Sequence, residues 1–260
     1  KALSADIIKL LIKSFFILAL VSTVLAFFAL ILGMLLNRRP DPLHEPQCVG
    51  RSVVSSGAGP VAIESRYDPS GVMGDVGDIS IERDVGAIRF KYETQGRGPH
   101  EWDWKYRDSM VNPEPAQFAG VMYLDPPNNW GDQPGLDLRG YKTVKWDARS
   151  LDGEVKTEFV IGGVVWKWNN EEKIKTAVFC PDSMPRISLG LKNLGDVWQS
   201  FEYEISDQPD DDFTSVIGGF GWVITWSSNG VQLNEARSGP VQPRTFKIEI
   251  RNIRYERRQR

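Results

Sequence analysis

From Ala87 onward, apolar and polar residues alternate at every second position, the period of a strand with one packed face and one wet face. Ile88, Phe90 and Tyr92 alternate with Arg89, Lys91 and Glu93, and Val144, Trp146 and Ala148 with Lys145 and Asp147. Val155, Thr157, Phe159 and Ile161 alternate with Lys156 and Glu158, and residues 201–205 and 246–250 repeat the pattern. More uniformly apolar runs at 118–124, 160–168 and 220–226 predict central strands, separated by stretches rich in Gly, Pro, Asn and Asp. No amphipathic helix of ordinary length follows Leu36, so a parallel sheet would have nothing to cover its faces. The pattern predicts an all-β fold, an antiparallel jelly-roll β-sandwich of about eight to eleven strands with under about a tenth of its residues in helix. The inward set includes Phe90, Trp146, Phe159, Phe220, Trp222 and Phe246, because a slip of one residue would bury Arg89, Lys145 and Glu158 instead.

The N-terminus reads differently. Residues 14–36 form a 23-residue run without a charge. As a helix it would reach roughly 34 Å, enough for a hydrocarbon core of about 30 Å. The expectation is one N-terminal transmembrane helix, a retained signal anchor rather than a cleaved signal peptide. Lys1, Lys9 and Lys13 before the run, against Arg38 and Arg39 after it, favour a cytoplasmic N-terminus and an extracytoplasmic sandwich, periplasmic or at the cell surface. Ala19, Ser22, Ala26, Ala29 and Gly33 recur at three- and four-residue intervals, a stripe suited to helix packing. The organisation expected is an N-terminal segment 1–13, the span 14–36, a Pro-rich spacer and lead-in 37–59, the sandwich 60–256 and a basic tail 257–260.

Charge and composition exclude several classes. The chain carries 31 Lys plus Arg against 34 Asp plus Glu; residues 1–39 hold five of the basic and one of the acidic residues, leaving 26 against 33, net −7, for the rest. Nucleic-acid binding would need a basic face and is not expected. Two Cys and two His exclude zinc fingers and disulfide-dense scaffolds. The motifs of α/β-hydrolases, zinc proteases and P-loop enzymes are missing, and His100 sits in a turn, so no catalytic residue is assigned and an enzyme is not expected.

Three segments, 67–79 (YDPSGVMGDVGDI), 123–149 (YLDPPNNWGDQPGLDLRGYKTVKWDAR) and 214–230 (TSVIGGFGWVITWSSNG), resemble landmarks of the galactose-binding-like β-sandwich superfamily. Within it the similarity is to non-catalytic carbohydrate-binding modules and to the complex I intermediate-associated protein family. The resemblance implies the sandwich fold and a protein that binds sugars, binds other proteins, or organises a complex. Relatives commonly place an acidic pair before a final Ile-Arg-Tyr; Arg251 and Asn252 stand there in this chain, which puts in doubt any calcium that such a pair helps to hold.

Candidate sites follow from residue types. Trp130 among Asn128, Asn129, Asp132, Gln133 and Asp137 offers an aromatic face with planar polar groups, as sugars require; the alternative is a turn whose Trp folds back on the sandwich. Trp102, Trp104 and Tyr106 alternate with Asp103 and Lys105, so a strand would place three rings on one face; Trp166 and Trp168 share that spacing. These rings form either a platform for a glycan or a partner's apolar patch, or ordinary core. Asp75 and Asp78, and Asp210–Asp212, supply oxygens of the kind calcium takes but lack the spacing of a calcium loop, so no cofactor is assigned, and a structural calcium is kept only as the alternative. Cys48 and Cys180 either pair or remain two separate thiols.

Two functions compete. The first is a non-catalytic, membrane-anchored accessory or scaffold subunit whose span and sandwich pack on other membrane-protein subunits. The second is a membrane-anchored carbohydrate-binding, lectin-like module.

Overall fold

The computed structural model describes residues 48–52, 59–75, 79–84, 86–95, 116–169, 174–205, 207–235 and 239–257. In chain order the strands are β1 (Arg51–Ser52), β2 (Val61–Ala62), β3 (Asp68–Gly74), β4 (Ile79–Asp84), β5 (Ala87–Glu93) and β6 (Phe118–Leu124). There follow β7 (Leu136–Asp137), β8 (Tyr141–Ser150), β9 (Val155–Ile161), β10 (Trp166–Asn169) and β11 (Ile174–Ala177). The last are β12 (Ile187–Leu194), β13 (Gln199–Glu204), β14 (Gly218–Thr225) and β15 (Thr245–Arg257).

Two antiparallel sheets face each other. One is five-stranded in the order β12-β9-β14-β6-β3; the other is six-stranded, β13-β8-β15-β5-β4, with β2 also pairing on β15. The 13-residue β15 is the spine of the second sheet: β8 runs along one side, and β5 then β2 along the other. Expected strands appear where the alternation is cleanest. Phe90, Trp146, Phe159, Phe220, Trp222 and Phe246 are all buried, and the intervening Arg89, Lys145 and Glu158 lie on outer faces in ion pairs. The run at 160–168 is not one strand. β9 stops at Ile161, and Gly162 and Gly163, at φ 68° and 87°, turn the chain before β10 begins.

The facing sheets meet through aromatic rings. Phe90 on β5 packs edge-on against Trp222 on β14 at 5.3 Å, and Trp146 on β8 meets Phe159 on β9 at 5.1 Å and Phe220 on β14 at 5.6 Å. One polar chain crosses the core: the Trp226 indole N–H donates to the Tyr92 hydroxyl at 2.6 Å, which donates to buried Asp75 at 3.1 Å.

The fold class differs from expectation at the N-terminus. Helical residues among those described are three short 3-10 turns, Ile63–Ser65, Asp210–Phe213 and Ser227–Asn229, and no helix among the described residues is long and apolar enough to cross a membrane. Residues 14–36, with Ala19, Ser22, Ala26, Ala29 and Gly33, lie outside the described residues. The supported fold class is therefore the antiparallel sandwich without the expected transmembrane helix. Length and hydropathy satisfy a necessary condition for a span but do not supply the helix itself. The signal anchor, the single-pass topology with its cytoplasmic and extracytoplasmic sides, and the packing against membrane-protein subunits all depended on that helix, which the described residues do not supply, and none of them is carried further.

Truncation of a ring in the intersheet layer should empty a void that its neighbours cannot close. Phe159→Ala is expected to cost about 3–5 kcal/mol in urea unfolding, against within about 0.5 kcal/mol for Lys156→Ala on the exposed face of the same strand.

Candidate functional site

The segment between β6 and β7 is built around one side chain. The Asn129 carboxamide oxygen accepts the N–H groups of Gly131, Asp132 and Gln133 at 3.0–3.1 Å, while its amide donates to the carbonyls of Asp125 and Gln133. Asn129 is buried and its hydrogen-bonding capacity is used within the loop. Trp130 is half-buried and packs with Met73 against Met122, Leu124, Val160, Val164 and Ile217, a small apolar cluster separate from the main core. Gly71 makes room for it, since a Cβ there would lie 3.0 Å from the indole. Asn128 is exposed at φ 58° with its N–H donating to the Ser70 hydroxyl, and Asp132 is exposed and paired with Lys167 at 2.5 Å.

That ion pair ties the loop to the β10–β11 hairpin. Three further ties reinforce it. Cys180 N–H donates to the Gly131 carbonyl at 2.7 Å. A Cβ on Gly131, which sits at φ 88°, would come within 2.3 Å of Val178. Cys48 and Cys180 form a disulfide, with Cα atoms 5.4 Å apart, and the adjoining Arg51 donates its N–H to Gly135 and pairs with Asp125. Loop, hairpin and the chain at 48–52 are thus one cross-braced body.

Two large rings stand out from it. Trp166 is 48% exposed and Phe179 is 61% exposed. β10 and β11 pair Trp166 with Ala177, so Phe179 follows two residues beyond the cross-strand neighbour of Trp166. The braced body also carries the exposed Asn128 and the Asp132–Lys167 pair. Phe179 escaped the sequence reading because it belongs to no periodic aromatic run; its one signal is its place beside Cys180. Trp102, Trp104 and Tyr106 lie outside the described residues, as does Asp78.

The outer face of the six-stranded sheet carries charges that pair with one another. Glu249, buried, takes Arg89 on one carboxylate oxygen at 2.7 Å and Arg149 on the other at 2.6 Å. Burial opposes its charge, and the two guanidinium groups outweigh that and hold the carboxyl below its ordinary value. Arg149 and Arg251 stack on the Trp198 ring at 4.7 and 3.9 Å. The residues at the last-strand position do not fit calcium. Asn252 donates to Asp147 at 2.6 Å, Arg251 reaches the same carboxylate at 3.4 Å, and Ser200 donates to its other oxygen, so donors of this chain already surround the local acid. Asp75 accepts from Tyr92 and from the Gln95 N–H inside the core, and no group of three or more His, Cys, Asp or Glu among the described residues could hold a metal ion.

No family model matches the chain, and a search of curated proteins finds no match. Solved structures do. A family 11 carbohydrate-binding module from Clostridium thermocellum, in complex with a β-1,3-1,4-mixed-linked tetrasaccharide, is 11% identical over 72% of this chain and 87% of its own, with a TM-score of 0.35. A family 29 module variant complexed with cellulohexaose is 10% identical over 77% of this chain and 92% of its own, with a TM-score of 0.33. An agarase is 10% identical over 77% of this chain and 25% of its own, with a TM-score of 0.41. Likeness at this level says nothing of what this chain binds, and the two-sheet architecture rests on its own strand pairing.

Beneath the hairpin, Asp182 holds the body to β14. Its carboxylate accepts the Gly218 N–H at 2.9 Å, and its own N–H donates to the Val164 carbonyl. Burial raises its pKa from 3.8 to about 7, against the lowering effect of those backbone donors. The folded state therefore holds a proton between about pH 4 and about pH 7 that the unfolded chain releases. Stability from this group is present in full below the lower value and is lost as pH rises through about 7. The melting temperature is expected to fall between about pH 4 and 7, and Asp182→Asn is expected to flatten that fall.

Proposed function

We propose that this chain is a non-catalytic carbohydrate-binding module whose ligand lies across Trp166 and Phe179, with its hydroxyls toward Asn128, Asp132 and Lys167. One observation carries this reading: two aromatic rings are left exposed on a body that a disulfide, an ion pair and a glycine contact hold fixed. A sugar ring presents a C–H face that covers an aromatic face, and its edge carries hydroxyls that planar carboxylate and amide groups bind. A braced support means that little conformational entropy is lost when the ligand docks. The resemblance of 67–79, 123–149 and 214–230 to the galactose-binding-like superfamily, which includes non-catalytic carbohydrate-binding modules, supports the same ligand class.

The reading has no role for Asn129 or Trp130 at the ligand. Asn129 shapes the loop and Trp130 seats it on the sheet, so both act through the positions of their neighbours.

The test is affinity electrophoresis of the full chain against soluble polysaccharides, followed by titration calorimetry on those that retard it. Trp166→Ala and Phe179→Ala are each expected to weaken binding about tenfold or more with unchanged melting temperatures, because both rings are solvent-facing. Full affinity in the double variant, or no retardation by any polysaccharide, contradicts the proposal.

A further inference from the structure

A cavity of about 370 Å³ opens where the β4–β5 hairpin, the turn Ile63–Ser65 and the bulge of β15 come together. None of its residues belongs to the braced body described above. Its polar wall is Glu64, Arg83, Asp84 and Asn252; Ala87 is its half-buried apolar side, and Ile88 and Ile250 close its floor with side chains buried in the core. Three of the polar groups are fixed from behind, Arg83 by its ion pair with Asp68. A Glu64 carboxylate oxygen accepts the Ile253 N–H at 2.7 Å, and the Asn252 amide donates to Asp147 at 2.6 Å. The β15 bulge sets Asn252 at φ 55°, a conformation that Asn tolerates, and turns it from the regular alternation of the strand. Burial raises the Glu64 carboxyl above its ordinary value, as for a group partly withdrawn from water.

Resting on the carbohydrate-binding reading, we propose that this cavity is a second sugar site, which takes a single neutral hexose residue rather than a stretch of polymer. Three features of the lining decide the ligand. Its four polar side chains are all planar carboxylate, amide or guanidinium groups, the types that engage neighbouring hydroxyls two at a time. Glu64 and Asp84, with Arg83 already paired to Asp68, disfavour uronates and sulfated sugars, while the Arg83 guanidinium beside them disfavours a bare cation. No aromatic ring among the described residues lines the cavity, so the ligand is held by its hydroxyl edge, with its C–H face limited to Ala87. The volume lies near the small end of the range of about 300–1,000 Å³ for ligand pockets, and a chain of rings would not fit.

Saturation-transfer NMR on the full chain with glucose, galactose and mannose tests this directly. At least one hexose is expected to receive saturation, with a dissociation constant on the order of millimolar. The signal should survive the Trp166→Ala/Phe179→Ala double variant. It should fall about tenfold in Ala87→Phe, which fills the cavity, and in Asn252→Gly, which removes the amide yet suits the backbone. Absence of contact with all three hexoses overturns the proposal. So does undiminished binding in both cavity variants, or loss of binding in the double variant. Polysaccharide binding that persists while hexose binding is absent leaves the platform reading standing and removes only this site; hexose binding that survives the double variant while polysaccharide binding is absent does the reverse.

Discussion

The layer of aromatic rings between the two sheets is the constraint on which the rest depends. Phe90 and Trp146 from one sheet interlock with Tyr123, Phe159, Phe220 and Trp222 from the other at centroid separations of 5.1–6.2 Å. Rings of this size fix the spacing of the sheets and tolerate little sliding. They also fix register on β5, β8 and β9, where a one-residue slip can exchange a ring for a charged residue. The outer faces follow as a consequence. Once the rings are committed inward, the charged residues between them face outward, where Glu249 takes both Arg89 and Arg149, and Asp147 takes Arg251.

The self-pairing of that face leaves it saturated, whereas the five-stranded sheet carries a second apolar cluster on its outside. Met122, Leu124, Val160, Val164 and Ile217 form the seat on which Trp130 and the β6–β7 loop rest. The hairpin and the disulfide then lock onto the loop from the other side. Val164 and Val178 nearby in the chain are buried, while Trp166 and Phe179 are left exposed. Exposed rings on a fixed support are an arrangement that stability alone does not require.

Much of the fold was legible in the sequence because a half-buried strand writes its two faces into alternate residues. β5, β8 and β9 could be read residue by residue on that basis, and β6 as a continuous apolar run. The error at 160–168 has a definite cause: hydropathy treats Val160 through Trp168 as one apolar run, while the break lies in two consecutive glycines with positive φ. The candidate site was only partly legible. Composition marks Asn128, Asn129, Trp130 and Asp132 as polar and aromatic neighbours, but it cannot tell that Asn129 is spent on three backbone N–H groups while Asp132 faces solvent. Phe179 and the cavity at Glu64 have no local signature, because each depends on residues far apart in the chain. The substitution of Arg251 and Asn252 for acids was legible in advance, and its consequence, an Asp147 surrounded by donors of this chain, needed the fold.

The most direct measurement of where ligand meets this molecule is the set of Trp indole N–H resonances in a ¹⁵N-correlated NMR spectrum, followed as polysaccharide fragments are added. The chain has nine Trp, of which Trp146, Trp222 and Trp226 are fully buried and Trp166 is exposed on the hairpin. The account predicts a saturable shift of the Trp166 indole with those three buried indoles unmoved. A saturable shift at Trp198 on the opposite sheet, with Trp166 unchanged, would contradict it.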